Sequence, residues 1–258
     1  MLLRLIGKWL HAGVMEEGRV THPEAGTPQG GVISPLLANV YLHEVLDKWF
    51  ATEVLPRLRG RGFLVRYADD FVMGFSREED ARRVLDVLGK RMERFGLTLH
   101  PVKTRLVRFE RPPRWAGQGE EPENGTFDLL GFTHFWARSR WGKPVIKRKT
   151  ANSRFHRGLK SVNQWCRLNR HRPMDEQHKT LSAKLKGHYA YFGITGNSQA
   201  LSSFRWWVWR IWRKWLLRRS QRACRSRDRI YRLLTGRYNL PPAVAVHSIY
   251  RRRGKSVT

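Results

Sequence analysis

The sequence predicts an α+β half followed by an all-α half, and three observations carry that prediction. Two apolar runs rich in aromatic and β-branched residues, Phe63–Tyr67 and Phe71–Phe75, meet at Ala68-Asp69-Asp70 and read as a β-hairpin. Beyond Lys143 the apolar spacing turns helical. Charge divides along nearly the same line. Residues 1–128 hold 19 Lys and Arg against 18 Asp and Glu; residues 129–258 hold 31 against Asp175, Glu176 and Asp228 alone. A near-neutral half is thus joined to one whose like charges oppose compaction unless a polyanion is present, and nucleic acid is the usual polyanion.

The elements follow in order. Met1–Leu10 reads as an amphipathic helix with Leu2, Leu5, Ile6, Trp9 and Leu10 on one side. Turns at Ala12-Gly13 and Glu17-Gly18 flank a short extended piece around Val20, and Pro28–Gly31 is an irregular loop. Ser34-Pro35 opens a helix over 36–50 whose apolar residues surround most of its circumference, which predicts burial on more than one side. After the hairpin comes a helix over 78–95, capped by Ser76 and closed by Gly96. Thr98-Leu99, Leu106–Phe109 and Phe127–Trp136 read as strands, and 111–126, rich in Pro, Gly and Glu, as a long exposed loop. The helical half breaks near Arg172-Pro173 and Gly193–Asn197. Its helix Phe204–Arg219 places Phe204, Trp207, Val208, Ile211 and Trp215 on one face, with Trp206 and Leu217 opposite, either packing on another element or offering a stacking surface. Pro241-Pro242 ends the last helix, and Arg251–Lys255 is a basic tail that awaits an anion.

Composition excludes several classes. An apolar fraction of 41% rules out global disorder. Cys166 and Cys224 lie far apart with no CxxC spacing, which argues against a disulfide framework or a zinc module and suits a reducing cytosol. No apolar run approaches the ~18 residues of a spanning helix, and the start lacks a signal-peptide cleavage site. No solenoid-period repeat is visible.

Asp69 and Asp70 carry the sharpest chemistry. Two adjacent carboxylates at a hairpin tip repel one another and become tolerable beside a divalent cation; Mg²⁺ prefers such hard oxygen ligands. Two-metal phosphoryl transfer uses this arrangement. By itself an Asp-Asp pair is also ordinary turn chemistry.

The surrounding residues decide between those readings. Tyr67-Ala68-Asp69-Asp70 resembles the YxDD signature of reverse transcriptases, and Pro28-Gln29-Gly30-Gly31-Val32-Ile33-Ser34-Pro35 upstream resembles their PQGxxxSP motif. The resemblance implies that Asp69 and Asp70 are the catalytic, Mg²⁺-binding dyad and that Tyr67 packs beside the primer terminus. It places the Gln29-Gly30-Gly31 loop by the nascent base pair, where glycines let a backbone approach a nucleotide closely. Gly96–Thr104 resembles the segment ending in Lys-Thr, which makes Lys103 a general acid for pyrophosphate; a solvated strand-end lysine is the other reading. Phe127–Phe132 resembles the FxFLGF primer grip, with Leu129 in place of the second Phe. Leu185–Asn197 resembles the maturase-specific motif that sets group II intron proteins apart, although many members carry Trp where this chain has His188.

From this resemblance the expected architecture is a partial right-hand polymerase palm over 1–134, a helical thumb and maturase region over 135–200, and a basic helical nucleic-acid-binding region over 201–258. The expected function is RNA-directed DNA synthesis coupled to intron RNA binding and splicing in a bacterial-type cytoplasm. Its cofactor is Mg²⁺ in a two-metal site. Its partners are group II intron RNA, an RNA template, a DNA primer, dNTP and target DNA, with no membrane. The resemblance also implies a first catalytic Asp upstream of Met1, so that this chain alone is inactive; an HNH-type Cys/His cluster is absent. A non-catalytic intron-binding remnant and a double-strand DNA-binding module are the other two readings.

Overall fold

Ser34-Pro35 does open a helix, because proline in the first turn gives up only a donor that has no intrahelical partner there. The computed structural model describes residues 4, 6–8, 14–16, 19–21, 33–112, 125–139, 141–220 and 226–247. The predicted first helix, the Gln29 loop, most of the Pro/Gly/Glu-rich loop and the basic tail lie wholly or largely outside these. The chain divides into two units, residues 1–106 and 107–258.

In the first unit, β1 (Val14–Glu16) pairs antiparallel with β2 (Arg19–Thr21). Helix α1 (Ser34–Leu42) runs on into π-helical stretches at His43–Lys48 and Phe50–Val54, then closes in a 3₁₀ turn at Leu55–Arg57. Ile33, not Ser34, occupies the cap position, and no side chain caps the helix. The predicted burial all round is corrected: Val45, Leu46, Trp49, Phe50 and Val54 are buried, while Leu36, Val40 and Tyr41 are exposed. The buried residues recur every four to five positions, the spacing that a wider π turn brings onto one face.

β3 (Gly62–Tyr67) and β4 (Asp70–Phe75) form the predicted hairpin. Helix α2 (Glu78–Arg94) ends as predicted at Gly96, whose φ of 66° suits glycine. The Leu97 amide reaches the Met92 carbonyl and the Gly96 amide the Glu93 carbonyl, a Schellman closure. Ser76 does not cap α2. Arg77 holds the cap position, and Ser76 Oγ instead accepts the Arg61 amide at 2.8 Å, pinning the two strand ends. Val84, Leu88 and Met92 of α2 join Val45, Leu46, Trp49, Phe50 and Val54 of the π-helical segment in one core, against which Leu64, Phe71, Met73 and Phe75 pack. Thr98-Leu99 and Leu106–Phe109, predicted as strands, form no ladder among the described residues. Leu97 and Leu99 pack on the core from irregular backbone.

The second unit starts with a three-stranded meander, β5 (Phe127–Leu129), β6 (Phe132–Arg138) and β7 (Pro144–Thr150). The single strand predicted over 127–136 is therefore a hairpin. Leu130-Gly131 forms its two-residue turn, with φ of 50° and 78°. Positive φ at both positions is the type I′ geometry that matches strand twist. β7 falls where helix was predicted beyond Lys143, and helix begins only at Asn152.

Among the described residues four helices follow: α3 (Asn152–Leu168), α4 (Met174–Phe192), α5 (Ser198–Leu217) and α6 (Arg227–Thr235). The breaks at Arg172-Pro173 and Gly193–Asn197 fall as predicted. The last helix stops at Thr235, ahead of Pro241-Pro242. Leu181, Leu185, Leu201, Val208, Trp212, Leu216, Leu234 and Leu240 are essentially inaccessible in one continuous core.

Buried amides tie its corners. Gln177 donates to the Arg170 and Arg172 carbonyls of the α3–α4 turn and accepts the Trp212 indole N–H at 2.9 Å. Asn197 accepts the Thr150 amide and donates to Thr150 Oγ1 and the Phe192 carbonyl. Residues 239–247 then strap back over the helices. Arg205 donates to the Leu240 and Pro241 carbonyls, and the His247 amide donates to the Gly193 carbonyl. A Cβ on Gly193 would lie 2.2 Å from the Tyr189 carbonyl oxygen and 3.0 Å from the strap, so this crossing requires glycine.

Candidate active site and nucleic-acid interface

The hairpin register puts Tyr67 opposite Asp70, leaving Ala68 and Asp69 as the turn itself. Ala68 has φ of 53°, a left-handed conformation that costs a residue with a Cβ about 1–2 kcal/mol. The hairpin tip therefore needs support, and the residue before Tyr67 supplies it. Arg66 points inward, its side chain 13% exposed. It forks onto both carboxylate oxygens of Asp47, at 2.8 and 2.6 Å. The same guanidinium donates to Asn39 Oδ1 at 2.8 Å and to the Ala68 carbonyl at 2.9 Å. One arginine thus locks the strained turn to α1. The Arg66 hydrogen bonds dominate in holding the Asp47 carboxyl below its ordinary value; partial burial opposes them and His43 assists.

Around this anchor the site is open. Tyr67 is 68% exposed and shares the outer face of β3 with Phe63 and Val65. Gly74 lets the Phe63 ring lie directly across the strand pair, where a Cβ would come within 2.3 Å of it. The Asp69 and Asp70 side chains are exposed and, among the described residues, make no hydrogen bond or ion pair. Two free hard-oxygen donors side by side fit a divalent cation in donor chemistry. Among the described residues no group of three or more His, Cys, Asp or Glu forms a metal cluster.

The structure thus brings Tyr67, Asp69 and Asp70 together. Lys103 lies in the same unit on an exposed turn closed by the Thr104 amide and the His100 carbonyl, and it makes no hydrogen bond or ion pair with either aspartate. It is not a strand-end residue. Gln29, Gly30 and Gly31 lie outside the described residues. The sequence reading missed Arg66, Asp47 and Asn39 as a unit. The signal was the alternation of β3: Leu64 and Arg66 share the inward face, and an inward arginine requires a partner.

The second unit carries a different surface. The buried stripe of α5 is Leu201, Phe204, Val208, Trp212 and Leu216, so the predicted stripe is rotated. Trp207, predicted to share the face of Phe204 and Val208, is exposed; Trp212 is fully buried. Aromatic residues on nearly every face left the helical phase undetermined by hydrophobicity alone. Leu217 packs on the core, whereas Trp206 faces out. His188 stacks on Phe204 with ring centroids 3.8 Å apart beside a cavity of about 270 Å³. Burial pushes its imidazole down to about 4.

Comparison with known proteins matches both units. A family model described as "Reverse transcriptase (RNA-dependent DNA polymerase)" covers residues 2–134, half of the chain. The chain belongs to that family. A second model, described as "Group II intron, maturase-specific domain", matches residues 153–233. The chain is similar to the group II intron-encoded protein LtrA of Lactococcus lactis subsp. cremoris, 56% identical over 46 residues, 18% of this chain and 8% of the relative. It is also similar to the protein YkfC of Escherichia coli K12, 35% identical over 98 residues, 28% of this chain and 25% of the relative. The matches span at most a quarter of these relatives' lengths. No helix among the described residues is long and apolar enough to cross a membrane.

Proposed function

We propose that the protein takes part in RNA-directed DNA synthesis and in binding and splicing of its group II intron RNA. The observation that carries this reading is one chain joining a locked hairpin-tip aspartate pair to a basic helical unit matched by the maturase model. In this reading Asp69 and Asp70 hold Mg²⁺, which when bound activates a primer 3′-hydroxyl and steadies the leaving pyrophosphate. Tyr67 supports the primer terminus, the Gln29-Gly30-Gly31 loop flanks the nascent pair, and Lys103 donates a proton to pyrophosphate. Arg66 acts indirectly, by fixing the turn. The functional division is a palm part over 1–134, a thumb and maturase part over 135–200, and a basic region over 201–258. Its setting is cytoplasmic, and its ligands are intron RNA, an RNA template, a DNA primer, dNTP and target DNA.

Two carboxylates neutralise two metal ions poorly, and charge stabilisation carries most of a phosphoryl-transfer barrier. A site held by Asp69 and Asp70 alone therefore binds Mg²⁺ weakly and does not extend a primer. Primer extension on an RNA template that disappears in Asp69→Asn would overturn this point. The RNA-binding half of the reading is tested by competition between the folded intron and a scrambled RNA of equal length at two salt concentrations. Preference for the intron at both is the expected result. Equal affinities would reduce the second unit to an unselective basic surface, because a long-range charge field does not distinguish two RNAs.

A further inference from the structure

Helix α5 contains five tryptophans from 206 to 215, and the structure engages them unequally. Trp212 is buried with its indole N–H on Gln177. Trp215 donates to Asn163 Oδ1 at 2.8 Å, and Trp209 meets Tyr231 edge to face. Trp206 and Trp207 are the exception: they are 48% and 41% exposed. They contact one another edge to face at 4.9 Å, and the Arg210 guanidinium lies 4.6 Å from one ring centre and 5.1 Å from the other.

This pair sits in a continuous exposed stripe of α5: Ser202, Ser203, Trp206, Trp207, Arg210, Lys214 and Arg218. The stripe is about 24 Å long at 1.5 Å per residue. Helical side chains lean toward the N-terminus, so Trp206 reaches over the turn that holds Ser202 and Ser203. Both serines are small and exposed, which leaves that approach open. Among the described residues, Arg210, Lys214 and Arg218 form no ion pair, and residues 129–258 offer only three carboxylates to pair with.

We propose that this stripe is a stacking site for unpaired nucleobases of an RNA strand. A base stacks on Trp206, the Trp206–Trp207–Arg210 cluster continues the stack, and Lys214 and Arg218 take the phosphates that follow. The occupant follows from the chemistry. A second copy of a chain with net charge +29 is repelled, whereas a polyanion is attracted. A duplex hides its base faces; a single strand presents them to aromatic rings and arginine planes. The proposal rests on the RNA-binding reading above and adds the site and the strandedness.

The test measures binding of the 258-residue chain to a short oligo(U) and to an RNA duplex of equal length across a salt series. Stacking is nearly independent of salt, whereas each lost phosphate contact lowers the log–log slope by about 0.7 on single strands. Trp206→Ala is expected to weaken oligo(U) binding at least about tenfold with an unchanged slope. Duplex binding should stay within about twofold, well under the 1.4 kcal/mol that a tenfold change represents. Trp206→Phe is expected to restore most of the affinity, since it keeps a π face. Lys214→Gln with Arg218→Gln is expected to flatten the slope. Unchanged oligo(U) affinity in Trp206→Ala, or an equal loss on duplex, overturns the stacking site while leaving RNA binding intact. Absence of salt-dependent binding by the unaltered chain overturns the functional reading itself. Because Trp206 is exposed, its variants should melt with the parent chain.

Discussion

The two units solve one problem, pinning loops to a core, with different chemistry. In the first, charged groups pair: Arg66 forks onto Asp47, and the buried Asp80 accepts the Gly60 and Arg59 amides and pairs with Arg83. In the second, neutral amides and backbone carbonyls do the tying: Gln177 and Asn197 are buried, and Arg205 and Arg219 donate to carbonyl oxygens. The difference follows from composition. Within the second unit, residues 129–258 hold three acidic residues among 130, few carboxylates with which to neutralise their cations. The ties just named use none of them; Asp175 is a carboxylate that does tie, accepting the Tyr238 hydroxyl at 3.2 Å and pairing with Arg237 at 3.4 Å, and Arg210, Lys214 and Arg218 stay available to a polyanion. Where the sites differ in purpose, their supports differ in kind.

The largest expected effect breaks the second unit alone. Trp212→Ala removes a fully buried indole and leaves Gln177 Oε1 without its donor. A loss of about 3–5 kcal/mol is expected for such a truncation. Hydrogen exchange should show lost protection in α4 and α5 with β3 and β4 unaffected. Equal loss in both units would mean that they fold as one.

Next comes Arg66→Met, which keeps the apolar stem and deletes the fork. Asp47 is then left without its main partner, and the Ala68 and Asn39 acceptors lose a donor. A cost of about 1–3 kcal/mol is expected, confined to the first unit. Arg66→Lys should recover only part of it, since an ammonium cannot bridge both Asp47 oxygens and Ala68 in one plane. Full rescue by lysine would show that charge, not geometry, holds the hairpin tip.

Acid separates the units more finely. Burial pushes His188 from 6.5 down to about 4, and His134 shifts in the same direction, chiefly by burial. Between those values the unfolded chain binds a proton that the folded one refuses. Stability of the second unit therefore rises with pH over that window, and acidification from about 6.5 toward 4 lowers its melting temperature by several degrees. The first unit behaves otherwise. Asp47 is held below its ordinary 3.8 chiefly by Arg66. For Asp80, burial raises the carboxyl, but the Gly60 and Arg59 amides and Arg83 together outweigh it. Their stabilisation is present above 3.8 and lost only as pH falls through lower values. His188→Trp should abolish much of the pH dependence in the second unit and fill part of the adjacent cavity. An unchanged melting profile from pH 7 to pH 4 would count against a neutral, half-buried His188.

Much of the site's primary shape was legible because short-range rules decide it. Two aromatic, β-branched runs around Ala68-Asp69 admit little but a hairpin, and Gly96 ends α2 by its own backbone freedom. What sequence missed depends on partners distant in the chain. Ser76 is a good capping residue, yet the Arg61 amide, fifteen residues back, claims its oxygen. In α5, aromatic residues at nearly every position gave several equivalent faces, and only packing against α3 and α4 selected Trp212 over Trp207 for burial. β7, with Lys147, Arg148 and Lys149 in its middle, looked helical because charge obscured its alternation.

The smallest expected effect concerns a turn in which the sequence chose against local preference. Leu130-Gly131 adopts type I′ geometry, for which Asn-Gly is the favoured pair, and a leucine at φ of 50° carries strain. Leu130 is half-buried and stands outside the apolar core cluster, so its side chain contributes little burial there. The structural service of the position is its carbonyl, which accepts the Tyr191 hydroxyl at 3.0 Å. Asparagine keeps that carbonyl and tolerates the left-handed region, so Leu130→Asn should stabilise the second unit by about 0.5–1 kcal/mol. Leu130→Ala, which removes the side chain but keeps the strain, should give no gain. Gly131→Ala should cost about 1 kcal/mol or more, because φ of 78° disfavours any Cβ although Phe192 and Arg154 leave it room at 3.5–3.6 Å. Thermal melts of the three variants decide the matter. If Leu130→Asn destabilises while Leu130→Ala is neutral, the turn is held by something other than backbone conformation, and the strain argument fails. If both destabilise equally, the leucine side chain itself packs the meander against α4, and the hairpin belongs to the core rather than to its rim.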